Sequence, residues 1–190
     1  MYYFPTRNDM IRAITKPGMV IGEIGVFKGE FATTLLGLQP SKLVLIDPWD
    51  GFLTSGDCDG NNVAQIDGEA AFMMVKDTFK GVPLVDIRRG YSENELAKFP
   101  DEFFDILYID GLHTFEGCYS DLELAYKKVK PGGWICGHDY GCNFIKCRHA
   151  YCFGVVQAVD TFCLKYNQKI IALGLDGCIS FAIHLSKPAA

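Results

Sequence analysis

The sequence predicts an α/β fold: a mostly parallel, seven-stranded sheet with helices on both faces and an antiparallel hairpin at its C-terminal end. Three observations carry that reading. From residue 19 onward, short apolar runs alternate with segments of helical period, and no low-complexity linker divides them. The first apolar run ends in a glycine-spaced turn, Val20-Ile21-Gly22-Glu23-Ile24-Gly25-Val26-Phe27-Lys28-Gly29. The last two runs are separated only by Gly174 to Gly177, a hairpin-length connection. A chain of 190 residues is expected to form one domain with a full core, spanning residues 1–190.

The elements follow in order. Thr6 to Thr15 reads as a short helix with Thr6 as its N-cap and Asp9 three residues on, and Pro17-Gly18 stops it. Met19 to Ile24 is the first strand, Glu30 to Leu38 the helix after its turn, and Lys42 to Ile46 the second strand. The polar stretch Gly51 to Asn62, with Asp57, Asp59, Asn61 and Asn62, reads as a loop. It leaves the ligand end of its strand, so a lid or acceptor-binding element is the functional alternative to a solvated loop. Gly68 to Phe79 is helical, Leu84 to Arg88 a third strand, Ser92 to Lys98 a short helix and Phe103 to Ile109 a fourth strand. Phe115, Tyr119, Leu122, Tyr126 and Val129 repeat at helical spacing until Pro131-Gly132-Gly133, and Trp134 to Gly137 opens the fifth strand. Val155 to Tyr166 is a helix, and Lys169 to Leu173 and Ile179 to Leu185 form the hairpin.

Hydrophobic residues make up 49% and charged residues 22% of the chain, as in soluble domains, and the net charge is −5. An acidic balance argues against a broad phosphate-binding face, so nucleic acid is not the expected partner. No apolar run reaches membrane-spanning length, and the first residues lack a basic region followed by an apolar core. The expected compartment is the cytoplasm and the expected partner a small molecule; the 14 Phe and 9 Tyr are compatible with a homodimer. Eight cysteines are many, but a cytoplasmic α/β chain argues against disulfides. Cys118, Cys136, Cys163 and Cys178 therefore read as small core hydrophobes. Cys142, Cys147, His149 and Cys152 share one loop; their spacing is not that of zinc hooks, and free thiols are the plainer reading. Lys146 and Arg148 there could attract an anionic substrate.

In an open α/β sheet, ligands bind beyond the carboxyl ends of the strands. Those ends carry Glu23, Gly25, Phe27 and Gly29; Asp47, Pro48 and Trp49; Gly90, Tyr91 and Ser92; Asp110 and His113; and His138, Asp139 and Tyr140. Glycines let a turn approach a ligand closely, and the helix behind it offers free N–H groups. Asp47 ends the second strand 18 residues after Gly29, where an adenosine ribose would offer two hydroxyls to a bidentate acceptor. Read as plain structure, Glu23 pairs with a helix N-terminus, Asp47 is a surface carboxylate and Trp49 a core aromatic. His113, three residues after Asp110, either fixes its loop by hydrogen bonds or serves as a general base.

The acid-x-Gly-x-x-x-Gly turn with Asp47 behind it resembles motif I of the class I S-adenosylmethionine (SAM) methyltransferases, whose core is Rossmann-like and seven-stranded. Ile109-Asp110-Gly111-Leu112-His113, Lys130-Pro131-Gly132-Gly133 and His138-Asp139 resemble its compact small-molecule O-methyltransferase branch. The resemblance runs from about Met19 to Leu185. It implies SAM as cofactor, held by Glu23, Gly25, Phe27, Gly29, Asp47, Trp49, Gly90, Tyr91, Ser92 and Asp110, with Glu23 near the cationic methionine end. It implies transfer to a hydroxyl of a small molecule, with Asp110, His113 and His138 catalytic. Relatives place a divalent metal at positions that match Asp110, His138 and Asp139; they carry three carboxylates where this chain has His138. Such a set suits Mn²⁺, Fe²⁺ or Zn²⁺ better than Mg²⁺. The rival reading is a non-methylating protein of the same fold that binds SAM or a nucleoside.

Overall fold

The computed structural model describes residues 1–50, 67–141 and 154–187. In chain order the elements are β1 (Tyr2–Phe4), α1 (Arg7–Ile14), β2 (Val20–Ile24), α2 (Glu30–Leu36), β3 (Lys42–Asp47), α3 (Gly68–Thr78) and β4 (Val85–Arg89). There follow α4 (Ser92–Leu96), β5 (Phe104–Ile109), α5 (Phe115–Lys128), β6 (Val129–Gly137), α6 (Val155–Tyr166), β7 (Ile170–Gly174) and β8 (Ser180–His184). They build one eight-stranded sheet, ordered β1-β7-β8-β6-β5-β2-β3-β4. All neighbours are parallel except β8, which runs antiparallel to both β6 and β7.

The strands alternate their side chains between two apolar layers. Ile24, Ile46, Leu107, Ile109 and Ile135 pack with Leu122 of α5 and Phe162 of α6. Ile21, Leu45, Ile106 and Tyr108 pack with Met10 of α1, Phe31 of α2 and Val75 of α3. A single face change per residue explains why Tyr108 and Ile109, adjacent in sequence, belong to opposite cores.

The expected seven strands are present, and β1 is an eighth. It pairs with β7, Tyr2 opposite Ala172. Three residues before a proline give no periodic signal, although the residue before Pro5 is biased to extended backbone. Thr6 caps α1 as anticipated, accepting from the Asp9 N–H at 3.1 Å. The Pro131-Gly132-Gly133 segment does not simply end a helix: α5 stops at Lys128, and pairing with β5 begins at Val129, jumps, and resumes at Trp134. Cys118 and Cys136 are buried free thiols and Cys163 a half-buried one. Cys178 departs from the core-thiol expectation: it lies between β7 and β8 and is disulfide-bonded. The loop expected at Gly51 to Asn62 and the Cys142, Lys146, Cys147, Arg148, His149 and Cys152 group lie outside the described residues. Among the described residues no helix is long and apolar enough to cross a membrane.

Candidate active site

The turn after β2 is built by its own neighbours. Gly25 has φ +83°, and a Cβ there would stand 2.0 Å from the Asp110 carbonyl oxygen, so the missing side chain lets the ends of β2 and β5 touch. Asp47 closes the turn from β3. One carboxylate oxygen accepts the N–H groups of Val26 and Phe27, both at 2.9 Å, and the other accepts that of Trp49 at 2.8 Å. The Trp49 indole N–H returns a bond to the Phe27 carbonyl at 2.8 Å. Phe27 and Trp49 hold left-handed backbone angles of 52° and 45°, a strain this lattice of bonds sustains. Gly29, also left-handed, caps α2. Burial raises the Asp47 pKa, and the three N–H bonds oppose that rise.

Beside this turn, on the α4–α5 side, lies a cavity of about 420 Å³, within the range of small-ligand sites. Of the residues expected to hold a cofactor, Gly25, Gly90, Tyr91 and Ser92 line it. Asp47 and Trp49 do not. Asp47 is 1% exposed and bound to backbone, and Trp49 is 2% exposed and packs on Phe72. Three carboxylates without an expected role take their place on the wall, Asp50, Glu93 and Asp121. The Tyr91 hydroxyl donates to Asp50, and the Ser92 hydroxyl donates to Asp121. Burial pushes the Asp121 pKa up to about 6, against the pull of the Ser92 bond. The available signals were an acid three residues after Asp47 and an acid on the inward side of α5.

On the opposite face of the sheet, the strand ends gather charge. Glu23, beside Tyr108 in the ladder, is 2% exposed, and its Oε2 has no hydrogen-bond partner among the described residues. Burial raises its pKa well above the ordinary value, the Asp110 and Asp47 charges add to the rise, and Arg7 opposes it. Arg7, unremarked in the sequence, starts α1. Its backbone N–H donates to Asp176 at 2.7 Å, its guanidinium lies 4.5 Å from the centre of the Phe31 ring, and one nitrogen reaches Asp110 at 3.5 Å. His113 Nε2 lies 3.0 Å from Asp139 and 3.7 Å from Asp110. Burial opposes its charged form, but the Asp110 bond and the charges of Asp139 and Asp110 outweigh it, and the pKa of His113 is raised. Asp139 is raised by burial, with His113 and His138 pulling it down and Asp110 pushing it up.

The expected triad Asp110, His138 and Asp139 does not form one cluster. Asp110 and Asp139 converge on His113, whereas His138 groups with Asp139 and Cys178. The physical reason is that His138 turns its Nδ1 to Ser180 of β8, at 2.8 Å. Cys178, with its sulfur in a disulfide, is no thiolate donor. In the first cluster Arg7 lies 3.5 Å from Asp110 and His113 3.0 Å from Asp139, so both carboxylates have a partner without a divalent ion.

Residues 23–140, from the turn acid to just past the His-Asp pair, match the family profile described as a methyltransferase domain. The chain belongs to this methyltransferase-domain family. An uncharacterized protein of Acanthamoeba polyphaga mimivirus is 29% identical over 144 residues, 73% of this chain and 59% of that protein. The chain thus spans about three-fifths of that relative's length. Solved structures share the fold at low identity. The O-methyltransferase from Bacillus cereus in complex with SAH superposes with a TM-score of 0.58 at 17% identity, covering 94% of this chain and 78% of the other. The N-methyltransferase NodS from Bradyrhizobium japonicum gives 0.63 at 14%, covering 94% and 92%. A structure described as a putative rRNA-methylase from Clostridium thermocellum gives 0.66 at 14%, covering 96% and 94%. In this methyltransferase-domain chain the family match contains both the cavity-facing turn and the histidine–carboxylate cluster.

Proposed function

We propose that the chain is a SAM-dependent methyltransferase acting at an oxygen of a small-molecule acceptor. The observation that carries the reading is the pairing, at one end of the sheet, of a glycine-lined cavity with a partly buried histidine–carboxylate cluster. The cofactor would supply an electrophilic methyl group on a sulfonium. The donor set fits it. Asp50 at the cavity wall suits a ribose diol, Gly90, Tyr91 and Ser92 suit the adenine, and Glu23 Oε2 offers an acceptor to the ammonium of the amino-acid end. His113 takes the acceptor proton. With Nε2 toward Asp139 and Asp110, the neutral ring carries its lone pair on Nδ1, and the two carboxylates stabilise the imidazolium that results. The net charge of −5 supports a small acceptor over RNA.

The test is calorimetry with SAH, followed by transfer of labelled methyl from SAM to a panel of phenols, sugars and polyketides, with RNA as a comparison. SAH binding and labelling of a small hydroxylated acceptor, lost in His113→Gln, are expected. A folded protein that ignores millimolar SAH would overturn the reading. Labelling of RNA alone would overturn its acceptor class.

A further inference from the structure

Three polar side chains form a buried line at the C-terminal end of the sheet. Tyr108 of β5 and Ser180 of β8 are wholly buried, and His138 follows β6. The Tyr108 hydroxyl lies 3.0 Å from the Ser180 hydroxyl, and the latter lies 2.8 Å from His138 Nδ1. Distances alone do not fix the protons, and an arrangement in which Ser180 accepts from both neighbours strands the serine's own proton, leaving two directions along the line. In one, Tyr108 donates to Ser180 and Ser180 donates to Nδ1, and every proton is used. In the other, Nδ1–H donates to Ser180 and Ser180 donates to Tyr108. That leaves the phenolic proton without an acceptor, because no second hydrogen bond of the Tyr108 hydroxyl exists among the described residues. A stranded buried donor disfavours the second arrangement by roughly one to two orders of magnitude. Burial and the nearby charge of Asp110 both keep the phenol protonated, so Tyr108 remains a donor.

We infer that Tyr108 and Ser180 hold His138 as the tautomer protonated at Nε2, which makes it a hydrogen-bond donor in the site and neither a proton acceptor nor a metal ligand. Both ring nitrogens are then committed: Nδ1 accepts from Ser180, and Nε2 carries the proton. Asp139 stands between the two histidines, and its charge feels both. The cluster therefore divides its tasks. His113 is the ring set against Asp139 and Asp110, and His138 offers a fixed N–H to Asp139 or to an acceptor oxygen. Tyr108 and Ser180 are positioning residues that reach the site only through His138. The inference concerns the unliganded protein and stands independently of the methyl-transfer reading.

The test is ¹⁵N–¹H NMR of the full chain labelled at its four histidines, at pH 8, with the His138 signals assigned through His138→Asn. The native protein is expected to show His138 Nδ1 unprotonated and Nε2 protonated. Ser180→Ala should relax this to a mixture, and Ser180→Thr should restore it. A native His138 protonated at Nδ1 overturns the inference, and this outcome needs no variant to fold. So does an unchanged tautomer in a folded Ser180→Ala protein. Loss of SAH binding with the tautomer intact would instead count against the proposed function alone.

Discussion

Asp47 and Asp50, three residues apart, meet different partners. Asp47 accepts three backbone N–H groups of the β2 and β3 turns, and Asp50 faces the cavity beside Tyr91. Asp47→Ala leaves three donors unpaired and should destabilise the fold by roughly 3 kcal/mol or more. Asp50→Ala should leave the melting temperature near the parent's and weaken SAH binding by roughly 1–3 kcal/mol, the range for hydrogen bonds to a charged group. Calorimetry and thermal melts together check this; the opposite pairing of losses would return the ribose to Asp47. Asp121 supplies a pH signature. Its folded pKa of about 6 lies above the ordinary 3.8, so the native state holds the proton more tightly. Its contribution to stability is complete below about pH 4 and is lost as pH rises through 6, by roughly 2–3 kcal/mol. Asp121→Asn should flatten stability between pH 4 and 7, measured by urea titration at each pH. The acids at strand ends were legible from their place after apolar runs. Which of two nearby acids faces a ligand was not, because that depends on where the neighbouring N–H groups point.

At the scale of elements, the turn between β2 and α2 is set by how closely β5 approaches it. The glycine spacing announced the turn, and the reason at Gly25 is the Asp110 carbonyl as well as the cavity. Gly25→Ala should therefore cost stability as well as affinity. A left-handed φ and a 2.0 Å approach to fixed backbone together predict roughly 2–5 kcal/mol. Denaturant unfolding checks it, and a variant as stable as the parent would show that the two strand ends can part. Helices α1, α3, α5 and α6 were legible within a few residues because each has a clear apolar stripe and a stop or cap. Strand β1 was not, since it has three residues and exposed Tyr2 and Tyr3, and its partner β7 lies far along the chain. Arg7 was missed for the same reason: its meaning comes from Asp110 and Asp176, which only the folded chain brings near.

For the whole molecule, ligand binding and fold stability are one equilibrium. SAH at one hundred times its dissociation constant should add about 2.7 kcal/mol, which for a domain of this size is roughly 5–10 °C in melting temperature. A chelator should leave the melting curve unmoved, since Asp110 and Asp139 already have partners in Arg7 and His113. Differential scanning calorimetry reads both outcomes. The doubly wound architecture was legible because alternating periodicities survive in any such chain; the chemistry on each face was not, because it depends on register. The pairing of β1 with β7 also sets a timetable. A ribosome adds roughly 5–20 residues per second. Tyr2 therefore waits roughly 10–30 s for Ala172 to be made, and until then β1 lacks its partner strand, although α1 can already pack Met10 against Ile21 and Phe31. The sheet edge beside Arg7 is thus joined only after the turn at Gly25 and the parallel strands around it have been synthesised.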